Sequence, residues 1–157
     1  MTVRAHVTLD PASVQDLIAR WWWNYDEGHF EVFPELLASD VHFTCRTDTG
    51  ETDYEEFVRA DVRGRDEVVA WQVDHRTNSP YPLRHNGTNV HLVDVRAEDE
   101  EADFASYILV TQIVDGVSPL STGIVTGTVR VEDGALRIAA LRVVLDTMAS
   151  VVFSQRA

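Results

Sequence analysis

The fold of this chain is decided where helical spacing of apolar residues gives way to strand-like spacing, at the stretch Leu83-Arg84-His85-Asn86-Gly87-Thr88-Asn89-Val90. From there on, four long patterns typical of β-strands follow one another, over residues 84–95, 103–114, 121–132 and 135–145. The segments between them are short and rich in Asp, Glu and Gly, as in turns between neighbouring antiparallel strands. The second half of the chain is therefore predicted to be an antiparallel meander.

Upstream of this stretch, apolar residues recur every three or four positions, as on the buried side of a helix. The first helix is predicted to begin at Asp10-Pro11, because Asp is a favoured N-cap and Pro loses no hydrogen bond at the first helical position, and to end at Gly28. The other elements predicted before the meander are a short helix over residues 31–38, a strand over residues 41–45, a helical turn or irregular flap over residues 54–61, and a helix over residues 65–75. Helices followed by a curved meander indicate an α+β fold, whose concave interior is the default place for a ligand.

The composition favours a globular protein that works in a reducing compartment. Its 157 residues fit one domain spanning residues 1–157, and 45% of them are hydrophobic. A net charge of −13 repels phosphate backbones and anionic lipids, so neither nucleic acid nor a membrane is an expected partner. The chain has no apolar run of the roughly 18 residues that a membrane helix needs, and its first residues lack the apolar core of a signal peptide. The one cysteine, Cys45, excludes an internal disulfide, and we expect a cytoplasmic protein.

Asp26 and His85 are the candidate catalytic pair. Asp26 stands four residues after Trp22, so it continues the buried stripe of the first helix, while His85 lies early in a long strand. A carboxylate that holds the Nδ1–H of a histidine fixes its tautomer and makes the ring a competent general base near neutral pH. The same two residues also fit a core histidine held by a structural carboxylate, and the pattern alone leaves both interpretations open.

Several further residues are candidates for binding a substrate. Tyr25 and Tyr107 could donate phenolic hydrogen bonds to a substrate oxygen, although their pattern alone fits ordinary core aromatics better. Thr88 and Asn89 are candidates for orienting His85 or a ligand, and they fit a bulged strand as well. The residues predicted to contact substrate are Trp22, Tyr107, Asn89 and Tyr54.

No cofactor or metal is predicted. The histidines are scattered, without the spacing of zinc or facial-triad sites, and His75 is interpreted as a solvated cation at the end of its helix. Cys45 is interpreted as a small buried apolar residue. The chain also has no glycine-rich phosphate loop and no nucleophile elbow, so nucleotide chemistry and serine hydrolysis are not expected.

Three segments resemble the SnoaL-like branch of the NTF2-like (cystatin-like) superfamily, in particular scytalone dehydratase and hexachlorocyclohexane dehydrochlorinase. They are Val14-Gln15-Asp16-Leu17 with Tyr25-Asp26, then Leu83-Arg84-His85-Asn86-Gly87-Thr88-Asn89, and finally Asp133-Gly134-Ala135-Leu136-Arg137-Ile138. The resemblance implies a cone in which N-terminal helices pack on a strongly curved, mainly antiparallel sheet. It also implies that Asp26 and His85 remove a proton β to a leaving group, with Tyr25 beside them.

The chain departs from those two enzymes at three positions. Trp21 stands where the dehydrochlorinase has a lysine, which argues against halide chemistry. Ile113 stands approximately where scytalone dehydratase has a second histidine, so one group of that dehydration mechanism is missing here. Leu136 replaces a usual tryptophan, a change expected to affect packing.

The function predicted from these residues is a cofactor-independent lyase of the dehydratase type, or an isomerase, acting on a hydrophobic, polycyclic or steroid-like small molecule. In this prediction His85 abstracts the proton, Asp26 orients it, and Tyr25 or Tyr107 stabilises the developing oxyanion. The alternative is a non-catalytic ligand-binding or accessory subunit, like the β subunits of ring-hydroxylating oxygenases, in which the cone is filled or narrow. A homodimer or higher homo-oligomer is expected through the outer face of the sheet.

Overall fold

The computed structural model describes residues 9–156, and its first helix, α1, spans Pro11–Glu27. The Asp10 carboxylate caps α1 by accepting hydrogen bonds from the backbone N–H groups of Ala12 and Ser13, at 2.9 and 3.1 Å. Gly28 ends the helix in the left-handed conformation, with φ 73°. Both predicted ends of this helix are therefore confirmed.

The elements between α1 and the meander differ from the prediction in one place. A 3₁₀ turn at Phe30–Val32 leads into a short helix, α2, at Phe33–Leu36, and the first strand, β1, already begins at Leu37 and runs Leu37–Thr47. The helix predicted up to residue 38 is wrong in its last two residues, because Leu37 is extended and pairs with Ile138 of a later strand. The pairing partner overrides the local helical spacing.

The segment predicted as a helical turn or flap forms two short elements. A helix of four residues, α3 (Glu55–Val58), is followed by an edge strand, β2 (Ala60–Arg63), which pairs antiparallel with β1. The helix α4 then spans Arg65–Thr77 and packs on β1. The strand β2 therefore forms one edge of the sheet, and α4 packs beside that edge.

The predicted meander is confirmed, with strands slightly longer than their sequence patterns. It consists of β3 (Leu83–Arg96), β4 (Glu101–Ile113), β5 (Val117–Glu132) and β6 (Ala135–Leu145). The six strands form one sheet in the order β2-β1-β6-β5-β4-β3, and every neighbouring pair is antiparallel except β1 with β6. This is the predicted α+β architecture of helices on a mainly antiparallel sheet.

Glycine and a bulge shape the sheet at two points. At Gly127 the strands approach so closely that a Cβ atom would collide with the carbonyl oxygen of Ala140 and with the Phe104 ring. In β3 the register shifts between Thr88 and His91, where Asn89 has φ 57°.

Within residues 9–156, no helix is both long enough and apolar enough to cross a membrane.

Candidate active site

A cavity of about 340 Å³ lies between the inner face of the sheet and the helices. Side chains from α1, α3, α4 and five of the six strands contribute to its wall, which is mostly apolar. Its volume is at the lower end of the range of about 300–1,000 Å³ that small-molecule sites occupy. The aromatic and aliphatic lining includes Trp22, Phe43, Phe57, Trp71, Ile108 and Val110.

Asp26 and His85 meet at the wall of this cavity. The Asp26 Oδ1 atom lies 2.6 Å from His85 Nδ1, and its Oδ2 atom accepts the backbone N–H of His85 at 2.7 Å. Because a carboxylate can only accept, the Nδ1 atom carries the hydrogen, and Nε2 is the nitrogen left to face a ligand. Asp26 is only 5% exposed, and it holds both the ring and the backbone of one residue.

Trp22 fixes the plane of the His85 ring. The two rings stack with their centroids 4.9 Å apart and an angle of 7° between their planes. This stacking depends on Gly87, because a Cβ atom there would lie 3.1 Å from Trp22 Cδ1. Because Trp22 and Asp26 are one helical turn apart, Trp22 covers the face of the His85 ring while Asp26 binds its edge.

Arg76, on α4, holds the C-terminal end of α1 in place. Its guanidinium is buried and donates to the backbone carbonyl oxygens of Tyr25, at 3.1 Å, and of Asp26, at 2.8 Å. Carbonyl groups at a helix C-terminus lack partners within the helix and carry a partial negative charge, which a cation complements. The backbone of Tyr25 and Asp26, at the end of α1, is therefore anchored.

A second polar pair lies next to His85. The Tyr25 hydroxyl is 2.5 Å from His75 Nδ1, and the Tyr25 ring packs edge-on against His85 with centroids 5.1 Å apart. Burial, and secondarily the positive charge that His85 can carry, lower the pKa of His75 from 6.5 to about 4. Burial likewise raises the pKa of Tyr25 above its ordinary value. The interpretation of His75 as a solvated cation is wrong, because its ring stacks on Trp71 in the cavity wall and is neutral at pH 7.

Two of the residues predicted to contact substrate lie elsewhere. Tyr107 is 55% exposed on the outer face of the sheet, because its neighbours in β4, Ser106 and Ile108, point inward. Asn89 is exposed at the bulge of β3 and lines a separate groove beside α1, so it does not contribute to the cavity wall. Both placements are corrections to the prediction. Trp22 and Tyr54 do line the cavity.

The cavity contains a second histidine, His75, which was not predicted from the sequence. Ile113, the approximate position of the second histidine in scytalone dehydratase, is 54% exposed near the end of β4. His75 of α4 supplies an imidazole to the same cavity instead. The position opposite His85 on β4 is Val110, which is apolar.

Gln72 on α4 also lines the cavity and is 3% exposed, although the sequence did not predict it as a site residue. A signal existed, because the buried residues of α4 are Val68, Gln72 and Arg76, one helical turn apart. Polar residues on the buried stripe of a helix are unusual enough to point to a site.

Cys45 lines the cavity but is not placed to act as a nucleophile. Burial and, to a lesser extent, the negative charge of Glu55 raise the pKa of its thiol to about 12. Since the thiolate is the reactive form, the thiol stays inert at neutral pH. Among residues 9–156, no three His, Cys, Asp or Glu side chains are grouped in a way that could hold a metal ion.

Solved structures with the same architecture are similar to this chain. A protein of unknown function with a cystatin-like fold from Nostoc punctiforme PCC 73102 has a TM-score of 0.70 and 18% identity, covering 89% of this chain and 93% of that one. The β subunit of a provisionally assigned aromatic-ring-hydroxylating dioxygenase from Novosphingobium aromaticivorans DSM 12444 has a TM-score of 0.68 and 15% identity, with coverages of 91% and 93%. A provisionally assigned scytalone dehydratase from the same organism has a TM-score of 0.66 and 16% identity, with coverages of 87% and 83%. At these identities the likeness shows the fold alone.

The sequence comparison identifies the family. No protein of curated function is significantly similar to this chain in sequence. The family model of the SnoaL-like domain matches residues 7–142, which is most of the chain and includes both Asp26 and His85. The chain therefore belongs to the SnoaL-like family, as the three sequence segments indicated.

Proposed function

We propose that this protein is a cofactor-independent lyase or isomerase that removes a carbon-bound proton from a hydrophobic, polycyclic or steroid-like small molecule. The observation that carries the proposal is the His85 ring, whose Nδ1 is held by the buried Asp26 carboxylate while the ring borders an apolar cavity. A fixed imidazole at the edge of a space that can hold a substrate has the arrangement of a general base.

In this mechanism His85 Nε2 accepts the proton, and the Asp26 carboxylate stabilises the imidazolium that forms. The apolar wall strengthens this ion pair, because a medium of low polarity screens the two charges poorly. The Trp22 face keeps the ring from rotating away from the substrate. These contacts exist before a ligand binds, so the base needs little reorganisation.

Tyr25 is the proposed donor to the oxygen on which negative charge develops. The neutral His75 ring can donate its own Nδ1–H to the Tyr25 oxygen, which leaves the phenolic O–H for the substrate. A hydrogen-bond donor aimed at a developing oxyanion lowers the barrier selectively in the transition state. Tyr107 has no part in this role, because it lies on the outer face of the sheet.

The test is deuterium uptake in D₂O. A panel of polycyclic carbon acids is incubated with the protein, and incorporation is followed by mass spectrometry. The wild type is expected to promote exchange or elimination on at least one member, and His85→Ala should lower that rate by about 10²–10⁴-fold. Circular dichroism checks that the variant is folded. An active substrate that His85→Ala still turns over at the full rate would refute the assignment.

The alternative function, a non-catalytic accessory subunit, is supported by the likeness to an oxygenase β subunit. That alternative predicts a filled or narrow cone, whereas the cavity here has a volume of about 340 Å³ and is lined by the imidazoles of His75 and His85. Displacement of a hydrophobic dye near Trp22 by polycyclic compounds, without any exchange or elimination on the panel, would favour the accessory role.

We further propose a homodimer or higher homo-oligomer that forms through the outer face of the sheet. Tyr107, Leu109 and Ile124 are exposed on that face, and they lie on the adjacent strands β4 and β5. Exposed large apolar side chains on neighbouring strands are typical of an interface.

A further inference from the structure

Another groove, of about 500 Å³, is lined by residues of β1, β2 and β6 and by the segment that leads into β2. Its wall includes three arginines, Arg46, Arg59 and Arg142. The neighbours of Arg142 in β6, Leu141 and Val143, are buried, so Arg142 points away from the cavity of the candidate active site. Three guanidinium groups therefore border one groove outside that cavity.

The turn after β1 orients two of these arginines. Arg46 donates from Nη1 to the backbone carbonyl oxygens of Thr47, at 2.8 Å, and of Asp48, at 3.3 Å. Arg59 donates from Nη2 to the carbonyl oxygen of Gly50, at 3.1 Å. A guanidinium has five N–H donors, so both arginines keep donors for a ligand. Carbonyl oxygens are uncharged, so these hydrogen bonds fix the position of the guanidinium groups without neutralising them.

The carboxylates that line the groove already have partners. Glu55 is buried and forms an ion pair with Arg59, at 3.4 Å. Asp61 Oδ1 lies 2.7 Å from His42 Nε2. These two carboxylates are therefore engaged by groups other than Arg46 and Arg142.

Arg46 and Arg142 form no ion pair with any side chain that the structure describes. In the parallel pairing of β1 with β6, Arg142 lies opposite Thr44, and Arg46 lies opposite Val144. The two arginines are thus diagonal neighbours on one face of the sheet, roughly 8 Å apart and within reach of each other's long side chains. Like charges so placed repel each other, and an anion bound between them would remove that repulsion.

We propose that this groove binds the phosphate group of a small molecule. The fork of a guanidinium matches the oxygens of a phosphate, and such charge-assisted hydrogen bonds are about twice as strong as neutral ones. Three arginines match the three terminal oxygens of a phosphate monoester, whereas a carboxylate has only two. The net charge of −13 repels anions at long range, but salt screens this repulsion beyond about 8 Å, so the contacts within the groove decide. The site goes beyond the proposed function and does not depend on His85.

The test is a titration of the full chain with inorganic phosphate at constant ionic strength, followed by NMR of the arginine Nε–H groups. Each signal is assigned by its loss in a variant that lacks one arginine. The signals of Arg46, Arg59 and Arg142 should shift with one common dissociation constant. The signal of Arg20, an exposed arginine of α1 outside the groove, should not shift.

A matched pair of variants separates direct contact from a change in net charge. Arg142→Gln should weaken phosphate binding about tenfold. Arg20→Gln removes the same charge elsewhere and should leave the dissociation constant unchanged. Circular dichroism checks that both variants are folded.

Four results would overturn the proposal. Equal shifts of Arg20 and the groove arginines would indicate general screening of charge, and an unchanged dissociation constant in folded Arg142→Gln would exclude direct contact. Acetate that binds as tightly as phosphate would refute a site specific for phosphate. If phosphate does not bind the wild type and Arg142→Gln dissociates an oligomer in sedimentation velocity, the groove contacts a second copy of the chain instead.

Discussion

Replacing Asp26 by Asn should reverse the tautomer of His85. In the wild type the Asp26 carboxylate accepts two hydrogen bonds, from His85 Nδ1 at 2.6 Å and from the His85 backbone N–H at 2.7 Å. An amide has one oxygen and one NH₂ group, so it can accept only one of them. If the oxygen keeps the backbone N–H, the NH₂ group faces Nδ1 and requires its lone pair, which puts the ring hydrogen on Nε2. The Nε2 atom then becomes a donor and ceases to be a base.

The expected loss of turnover is about 10²–10⁴-fold. A hydrogen bond to a charged group contributes about 1.5–3 kcal/mol, or roughly 10–150-fold, and the wrong tautomer adds to that loss. The stability of the fold should change less, because Arg76 still binds the backbone carbonyl oxygens of Tyr25 and Asp26.

Nitrogen-15 NMR of the histidine rings tests this reasoning without a substrate. The wild type should show His85 with a protonated Nδ1 and an unprotonated Nε2, assigned by the loss of its signals in His85→Ala. Asp26→Asn should exchange the two shifts. A variant that circular dichroism shows to be folded and that keeps the wild-type tautomer would refute this role of Asp26.

Three more perturbations follow from the structure. Gly87→Val should destabilise the protein by about 1–3 kcal/mol in urea unfolding, because a Cβ would press on Trp22; an unchanged midpoint would contradict the close packing. The pKa of His75 is about 4 in the folded protein against 6.5 unfolded, so the unfolded chain binds more protons between these values and stability falls as the pH drops from 6.5 towards 4. The shift bounds this loss of stability at about 3 kcal/mol, and solvent in the cavity reduces it to about 1–2 kcal/mol. The measurement is the difference in urea unfolding between the wild type and His75→Phe, at pH 7 and at pH 4.5. Equal losses of stability in the two proteins would count against this effect of His75. Tyr107→Glu should dissociate the proposed oligomer in sedimentation velocity, and a wild type that sediments only as a monomer would contradict the interface.

Much of the fold could be predicted because its signals are local. Asp10 and Gly28 mark the ends of α1 through their own side chain and backbone, and short turns separate the four long strands. Asp26 was recognisable as a buried carboxylate because it follows Trp22 by one helical turn. The start of β1 at Leu37 was not predictable in this way, because Leu37 is extended in order to pair with Ile138, about a hundred residues later.

The candidate site was predictable only where the spacing of residues showed which side of a helix or strand is buried. The first helix, the meander and a possible pair of a buried carboxylate with an early strand histidine all followed from residue spacing. That Gln72 and His75 line the cavity, and that Tyr107 lies on the outer face of the sheet, followed only from the three-dimensional packing. Periodicity shows which residues share a face of a helix or strand, because it depends only on neighbours along the chain, whereas packing and strand register determine what that face contacts.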